Sequence, residues 1–172
     1  MMELKSRKKV MVAFAIVAVV AVAAVSFIVY PAFASVADVE APSKHVSARA
    51  RGLTFQRIDN ETIKQGTVEL MLDVELGRSR WNFVAIPNVS GSANVSGTIY
   101  TIESGRGLIN TEKHIVLLRC MGTDSEGNEA TFGIGMVYFW WGGDAYAFRA
   151  KAVLKTAENP MLLLLRGVAK IQ

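Results

Sequence analysis

The sequence is poor in the residues that build cross-links and reactive sites. One of its 172 residues is a cysteine, Cys120, and two are histidines, His45 and His114. A single thiol cannot form an intramolecular disulfide, and a thiolate-rich zinc site needs more cysteines than the chain has. A lone cysteine inside an apolar run such as LLRCM is usually a small core residue. We therefore predict a domain that is stabilised by its hydrophobic core.

Catalytic motifs are also missing. Neither histidine is accompanied by a G-x-S-x-G nucleophile elbow. Glu69, Asp73 and Glu75 recur along one predicted strand, but Glu69 and Asp73 would lie about 13 Å apart, which is wide for a glycosidase pair. The acidic loop Thr123–Asn128 lacks the full spacing of a calcium loop and is better interpreted as a solvated turn. The sequence thus predicts no catalytic residue, no metal site and no cofactor.

The excess of positive charge is confined to the first nine residues. The chain carries +4, and Lys5, Arg7, Lys8 and Lys9 against Glu3 account for +3 of it. The rest is nearly neutral, so the high isoelectric point does not indicate a nucleic-acid partner. We predict no nucleic-acid binding.

One long apolar run is present. Val10–Tyr30 holds twenty-one residues without charge or proline, the length of a transmembrane helix. The basic residues before it predict that the N-terminus stays in the cytoplasm. We expect a single-pass membrane protein with a cytoplasmic tail (1–9), a signal-anchor (10–30), a linker (31–44) and an extracytoplasmic β-domain (45–172).

Two alternatives concern the same run. Ala32-Phe33-Ala34 followed by Ser35 fits a signal-peptidase site, and cleavage after Ala34 would give a secreted protein. The run is longer than the apolar region of a signal peptide, about 7–15 residues, which favours the anchor. A pilin-like filament subunit would need a processing site directly before the run, and Lys8–Met11 does not supply one.

Beyond residue 44 the apolar residues alternate with polar ones, as in β-strands with one buried face. The pattern predicts an all-β domain of about eight mostly antiparallel strands, either a β-sandwich or an up-and-down barrel. Gly142-Gly143 is typical of a two-residue hairpin turn. Pro87–Ser96 is expected to be a loop, and the first strand is expected near an edge. The predicted strands are His45–Ile58, Val68–Leu76, Trp81–Ile86, Val95–Glu103, His114–Met121, Ala130–Trp141, Asp144–Lys155 and Met161–Ile171.

An aromatic run supplies the candidate binding site. In Tyr138–Trp141 successive side chains point to opposite faces, so Phe139 and Trp141 are expected outside the core. With Trp81, Arg78 and Arg80 they could form a platform for a glycan, a lipid or a surface protein. The competing interpretation is that Trp141 covers the core beside the glycine turn.

Three sequons match N-x-[ST] and predict N-glycosylation at Asn60, Asn88 and Asn94, provided that the host has the machinery. Each was expected in a loop or turn, where a glycan is easily accommodated.

These features favour a non-enzymatic binding or surface-assembly module held at the cell membrane, which could form a homo-oligomer. The alternative is a lipocalin-like carrier of a small apolar ligand, with a cavity lined by Leu72, Tyr138, Tyr146 and Phe148. A hydrolase assembled from scattered residues or a pilin-like subunit is less favoured.

Overall fold

The structure is a computed structural model that describes residues 44–58, 61–157 and 160–172. The predicted anchor at 10–30, its alternative cleavage site after Ala34 and the sequon at Asn60 lie outside the described residues. Among the described residues there is no helix of the length and hydropathy that a membrane span requires. The strands are β1 (Lys44–Ile58), β2 (Glu61–Leu76), β3 (Ser79–Arg80), β4 (Phe83–Ile86), β5 (Asn88–Val95), β6 (Thr98–Asn110), β7 (Ile115–Asp124), β8 (Glu129–Gly142), β9 (Ala145–Lys155) and β10 (Met161–Ile171).

Eight of these strands form a closed antiparallel barrel. They follow the order β1, β2, β5, β6, β7, β8, β9 and β10 around the wall, and β10 pairs with β1 to close it. Apart from the closing β1–β10 pair, each of the eight strands pairs with the next barrel strand along the chain, as in an up-and-down barrel. The all-β, antiparallel prediction is confirmed, and of its two architectures the barrel is the one that forms.

The short strands β3 and β4 extend a hairpin of the barrel past its rim. Glu75 pairs with Asn88 on β2 and β5, and Ser79 pairs with Val84 on β3 and β4 in the same register. The two arms thus belong to one long hairpin that turns at Trp81-Asn82. Pro87, which has no N–H to donate, stands between β4 and β5. β4 also pairs with β6, which keeps the extension in the sheet.

The core fills the inside of the barrel. In β2 the side chains of Val68, Leu70, Leu72 and Val74 are buried, while the residues between them are exposed. The predicted alternation is confirmed here and on β8 and β9. The largest fully buried side chains are Phe132, Ile102, Leu118, Ile134, Leu154, Leu163, Val68, Val89 and Val95.

The first strand is not near an edge, contrary to the prediction. β1 pairs with β2 on one side and with β10 on the other, because closure of a barrel removes its edges. Glycines allow the backbones of β1 and β10 to approach closely where these two strands pair. A Cβ on Gly52 would collide with the carbonyl oxygen of Leu164, and one on Gly167 with that of Arg49.

The predicted strands Val68–Leu76 and Val95–Glu103 are longer in the structure, and two predicted connections also differ from it. Pro87–Ser96 is not a loop, since most of it is β5, which pairs with β2 and β6. The strand is rich in Ser, Asn and Gly, so its hydropathy is too low to indicate a buried strand. The turn between β8 and β9 is Gly143-Asp144 instead of Gly142-Gly143, because Gly142 pairs with Ala145.

Candidate binding surface at the entry end of the barrel

One end of the barrel receives the chain from its N-terminal segment. We call it the entry end and define it as residues 44–45, 77–83, 111–114, 142–145 and 170–172. Hydrogen bonds join its segments. The amide of Gln172 donates to the carbonyl of His45 at 2.8 Å, and that of Ile171 donates to Asp144 at 3.0 Å. The opposite end, with the connections 96–97 and 125–128, is the far end.

All three tryptophans of the chain lie at or beside the entry end, and all three are exposed. Trp81 is 89% exposed, Trp140 71% and Trp141 69%. Tryptophan is normally among the more buried residues, and a run of exposed aromatic side chains marks a contact surface. The entry end is therefore the strongest candidate binding surface in the described part of the chain.

The hairpin tip holds Trp81 in a fixed position. Trp81 and Asn82 form the turn between β3 and β4, and the predicted site residues Arg78 and Arg80 flank it as exposed side chains. The Asn82 carbonyl accepts the amide of Thr111 at 2.8 Å, and the Asn82 Nδ2 donates to Glu112 at 2.8 Å. The tip is thus bonded to the turn between β6 and β7.

Trp81 itself has an unusual backbone conformation. The prediction placed it in a strand, whereas it lies in the turn with φ of 58°. This left-handed conformation is normally occupied by glycine, asparagine or aspartate, since a bulky side chain there carries strain. Because the indole is exposed, contacts with the core do little to offset this strain.

The end of β8 contributes the other aromatic group. Phe139 and Trp141 are exposed, as predicted, so the competing placement of Trp141 over the core is wrong. The neighbouring Trp140 was expected to face inward. Its side chain continues the inward-facing series of β8 but lies past the rim of the barrel. There its Nε1 donates to the carbonyl of Gly143 at 3.2 Å.

An apolar row connects the two aromatic groups across the outer wall. Phe83 on β4 is opposite Asn110, Asn110 is opposite Ile115, and Ile115 is opposite Val137. Directly opposed residues share a face of the sheet, and Val137 shares its face with Phe139. We call Phe83, Ile115, Val137 and Phe139 the apolar collar. The sequence prediction missed Phe83, Ile115 and Val137, because only strand register shows that they are neighbours.

The entry end is rich in cations. Five of its side chains are basic and two are acidic, and the basic ones are all exposed. Cations and exposed indoles together suit a ligand that has both anionic and apolar parts. The basic residues are Lys44, Arg78, Arg80, Lys113 and Lys170, and the acidic ones are Glu112 and Asp144.

Three aromatic rings contact one another near the entry end. Tyr138 contacts Tyr146 edge to face with ring centroids 5.8 Å apart, and His114 contacts Tyr138 in the same manner at 5.3 Å. Burial, with a smaller contribution from Tyr146, raises the pKa of the Tyr138 hydroxyl above its ordinary value. His114 is exposed in the turn before β7, so the expectation that it begins a buried strand is wrong.

The barrel interior is tightly packed around Gly105 on β6. A Cβ on Gly105 would lie 2.8 Å from both the Cys120 Sγ and the Val89 Cβ, closer than real carbon contacts. At this level the barrel has no space even for a methyl group. Leu72 and Phe148, which were expected to line a ligand cavity, are buried core residues. This packing disfavours the carrier alternative.

Cys120 is a core residue, as predicted. It is fully buried, and burial raises the pKa of its thiol from its ordinary value of 9.0 to about 12. The thiol is therefore protonated at neutral pH and inaccessible to a partner thiol.

The acidic residues predicted to be solvated are exposed or make ordinary surface contacts. Glu69 pairs with Arg51 at 3.1 Å and Asp73 accepts from the Ser47 hydroxyl at 3.2 Å. In the described residues 44–58, 61–157 and 160–172, no group of three or more His, Cys, Asp or Glu side chains could hold a metal ion.

The loop at the far end is organised by one carboxylate. Asp124 accepts the amides of Glu126 and Asn128, each at 2.9 Å, and the Asn128 Nδ2 at 3.0 Å. The bonds to Asn128, ahead of the other amides, lower the pKa of Asp124. Its oxygens thus serve turn geometry, in agreement with the turn interpretation.

The two described sequons lie on a strand instead of in a loop. Asn88 and Asn94 are exposed on the outer face of β5, opposite Glu75 and Glu69. The Asn94 Oδ1 accepts the amide of Gly97 at 3.1 Å. Their exposure is compatible with glycosylation, which stays a prediction.

No protein-family model matches the sequence, and no curated protein matches it either.

Proposed function

We propose that the protein is a membrane-anchored, extracytoplasmic β-barrel that acts as a non-enzymatic binding module. Residues 10–30 hold it in the cell membrane with the N-terminus in the cytoplasm, and the barrel lies outside. Its binding surface is the entry end with the apolar collar. The observation that carries the proposal is the exposure of Trp81, Trp140 and Trp141 at this single end.

Surface chemistry supports a binding role for the predicted platform. Indole rings offer large contact areas at a low cost in side-chain entropy, and arginines add charge-assisted hydrogen bonds. Arg78, Arg80 and Trp81 are on the hairpin tip, while Phe139 and Trp141 are on β8, and the collar continues between them. A partner that spans this surface would contact both groups.

A photo-crosslinking experiment in intact cells tests the binding surface. A photoreactive amino acid replaces Trp141 in one variant and Ile99, which is 57% exposed near the far end, in the control. We expect a discrete adduct, with lipid or protein, from position 141 and at least about tenfold less from position 99, since only the first lies on the proposed surface. Equal yields from the two positions would contradict the proposal.

The anchor is tested by the mass of the mature chain in the membrane fraction. The proposal predicts that residues 10–30 are retained and that external protease degrades the barrel in intact cells. A chain that starts at Ser35 would establish the secreted alternative, because the apolar run would then have been removed as a signal peptide.

A further inference from the structure

We propose that the occupant of the entry end is the lipid bilayer that holds the chain's own N-terminal segment. Trp81, Trp140 and Trp141 would lie in the headgroup region, and Arg78 and Arg80 would contact anionic phosphates. This inference rests on the proposed anchor and names the partner of the proposed binding surface.

The first support is the position of the tryptophans relative to the chain entry. β1 begins at Lys44 at the same end as all three indoles. The hairpin tip extends β2, which is next to β1, and β8 is three strands from β1 in the other direction. At a strand spacing of about 4.8 Å, β8 is roughly 14 Å from β1 along the wall. Aromatic groups thus flank the entry point on both sides.

The connector brings this end to the membrane. Residues 31–43 are thirteen residues, so covalent geometry limits the separation of Lys44 from the anchor to about 45–50 Å. A surface tethered at that distance meets the bilayer at an effective concentration on the order of millimolar, so weak contacts are enough to hold it there. The far end is separated by the length of the barrel.

The chemistry of the surface fits the membrane interface. Tryptophan is enriched at this depth because its ring is apolar and its N–H is polar. The five basic side chains of the entry end, against two acidic ones, suit an anionic membrane. The apolar collar continues up the barrel wall, where it would contact lipid if the barrel tilts towards β6 to β8.

The conformation of Trp81 is the second, independent support. It occupies a left-handed turn position that asparagine or glycine would fill without strain, and it is 89% exposed. Neither the turn nor the core requires an indole there. A strained and exposed side chain is a reason to infer a role in contact with another surface.

The test uses the full chain in lipid nanodiscs, whose two faces are both open to solvent. Because the chain's only tryptophans are those of this surface, its fluorescence reports on the surface alone. In discs of mixed phosphatidylcholine and phosphatidylglycerol we expect a blue-shifted emission. We also expect strong quenching by lipids that carry a nitroxide near the headgroup, and at least about threefold weaker quenching by acrylamide than in the control described next.

The matched control moves the reporter towards the far end of the barrel. All three tryptophans are replaced by phenylalanine and Ile99→Trp is added. This single indole should stay open to acrylamide and should not be quenched by the nitroxide lipid. Arg78→Gln and Arg80→Gln should each lower the ratio of membrane-bound to detached barrel by about fivefold in anionic discs, with little change in discs of phosphatidylcholine alone.

The possible failures are distinguishable. If the full chain does not co-elute with the discs, both the anchor and the inference are wrong. If it co-elutes but the native tryptophans are open to acrylamide, the inference is wrong and the anchor stands. Shielding from acrylamide without nitroxide quenching would also overturn the inference, because it would indicate a protein partner or a second copy.

Discussion

Inside the barrel, Gly105 occupies a position that no larger residue would fit without movement of its neighbours. Gly105 faces Cys120 and Val89 with no space for a Cβ. The sequence indicates which face of each strand is buried, because alternation is a property of neighbouring residues. It does not indicate which glycine faces a crowded site, because that depends on residues from other strands.

Gly105→Ala should therefore destabilise the barrel. Overpacking in a filled core costs about 1–3 kcal/mol. Gly133→Ala is the matched control, since its added Cβ would meet nothing within 4 Å, and it should be neutral or slightly stabilising. Urea unfolding of both variants measures the difference. Equal free energies of unfolding would mean that the interior has free space, which would revive the carrier alternative.

Burial of the Cys120 thiol predicts that the free energy of unfolding decreases at high pH. Its pKa in the folded protein is about 12, against an ordinary value of 9.0. The stabilisation of the folded protein by the protonated thiol is complete below pH 9 and is lost as the pH rises towards 12. In that range the unfolded thiol releases its proton while the folded one keeps it. Cys120→Ala should give a flatter decline of the urea midpoint between those values. Tyr138, whose pKa is also raised, contributes equally to both proteins. Parallel pH curves would contradict the prediction.

At the scale of elements, most strands could be predicted and some of the connections could not. Met161–Ile171 was predicted with its observed bounds, and the strands on either side of the β8–β9 turn were nearly correct. β5 was missed because it is rich in Ser, Asn and Gly, and its strand conformation depends on hydrogen bonds to β2 and β6. The tip at Trp81-Asn82 was missed because its first turn residue is a tryptophan, which carries no turn signal.

A substitution at the hairpin tip can separate the effect of Trp81 on turn stability from its effect on membrane contact. Trp81→Asn should stabilise the fold by about 1 kcal/mol, because asparagine tolerates the left-handed conformation and the lost indole is exposed. The same variant should weaken contact with the membrane. Thermal unfolding and nitroxide quenching of the remaining tryptophans measure the two effects. A variant that is less stable than the native chain would mean that Trp81 supports the fold.

At the scale of the whole molecule, the fold and the candidate surface could each be predicted only in part from the sequence. Alternation of apolar residues predicts an all-β domain, but the choice of the barrel depends on β1–β10 pairing, a contact between the two ends of the domain. The platform residues could be named from their chemistry. Their shared position at the entry end, and the collar that joins them, follow only from the closed topology.

The central claim is that the barrel stands with its entry end on the membrane. Lys113→Cys places a thiol in the entry-end turn, and Glu126→Cys places one in the far-end loop. Both positions are exposed, and the native Cys120 is buried, so labelling is selective. A fluorescent donor at each position, in nanodiscs of the full chain, reports its distance to acceptor-labelled headgroups.

With the entry end on the membrane, energy transfer should be strong from position 113 and much weaker from position 126. The two positions are separated by the length of β7, which is roughly 25 Å along a tilted barrel axis. Equal transfer from both positions, or stronger transfer from position 126, would contradict the proposed orientation.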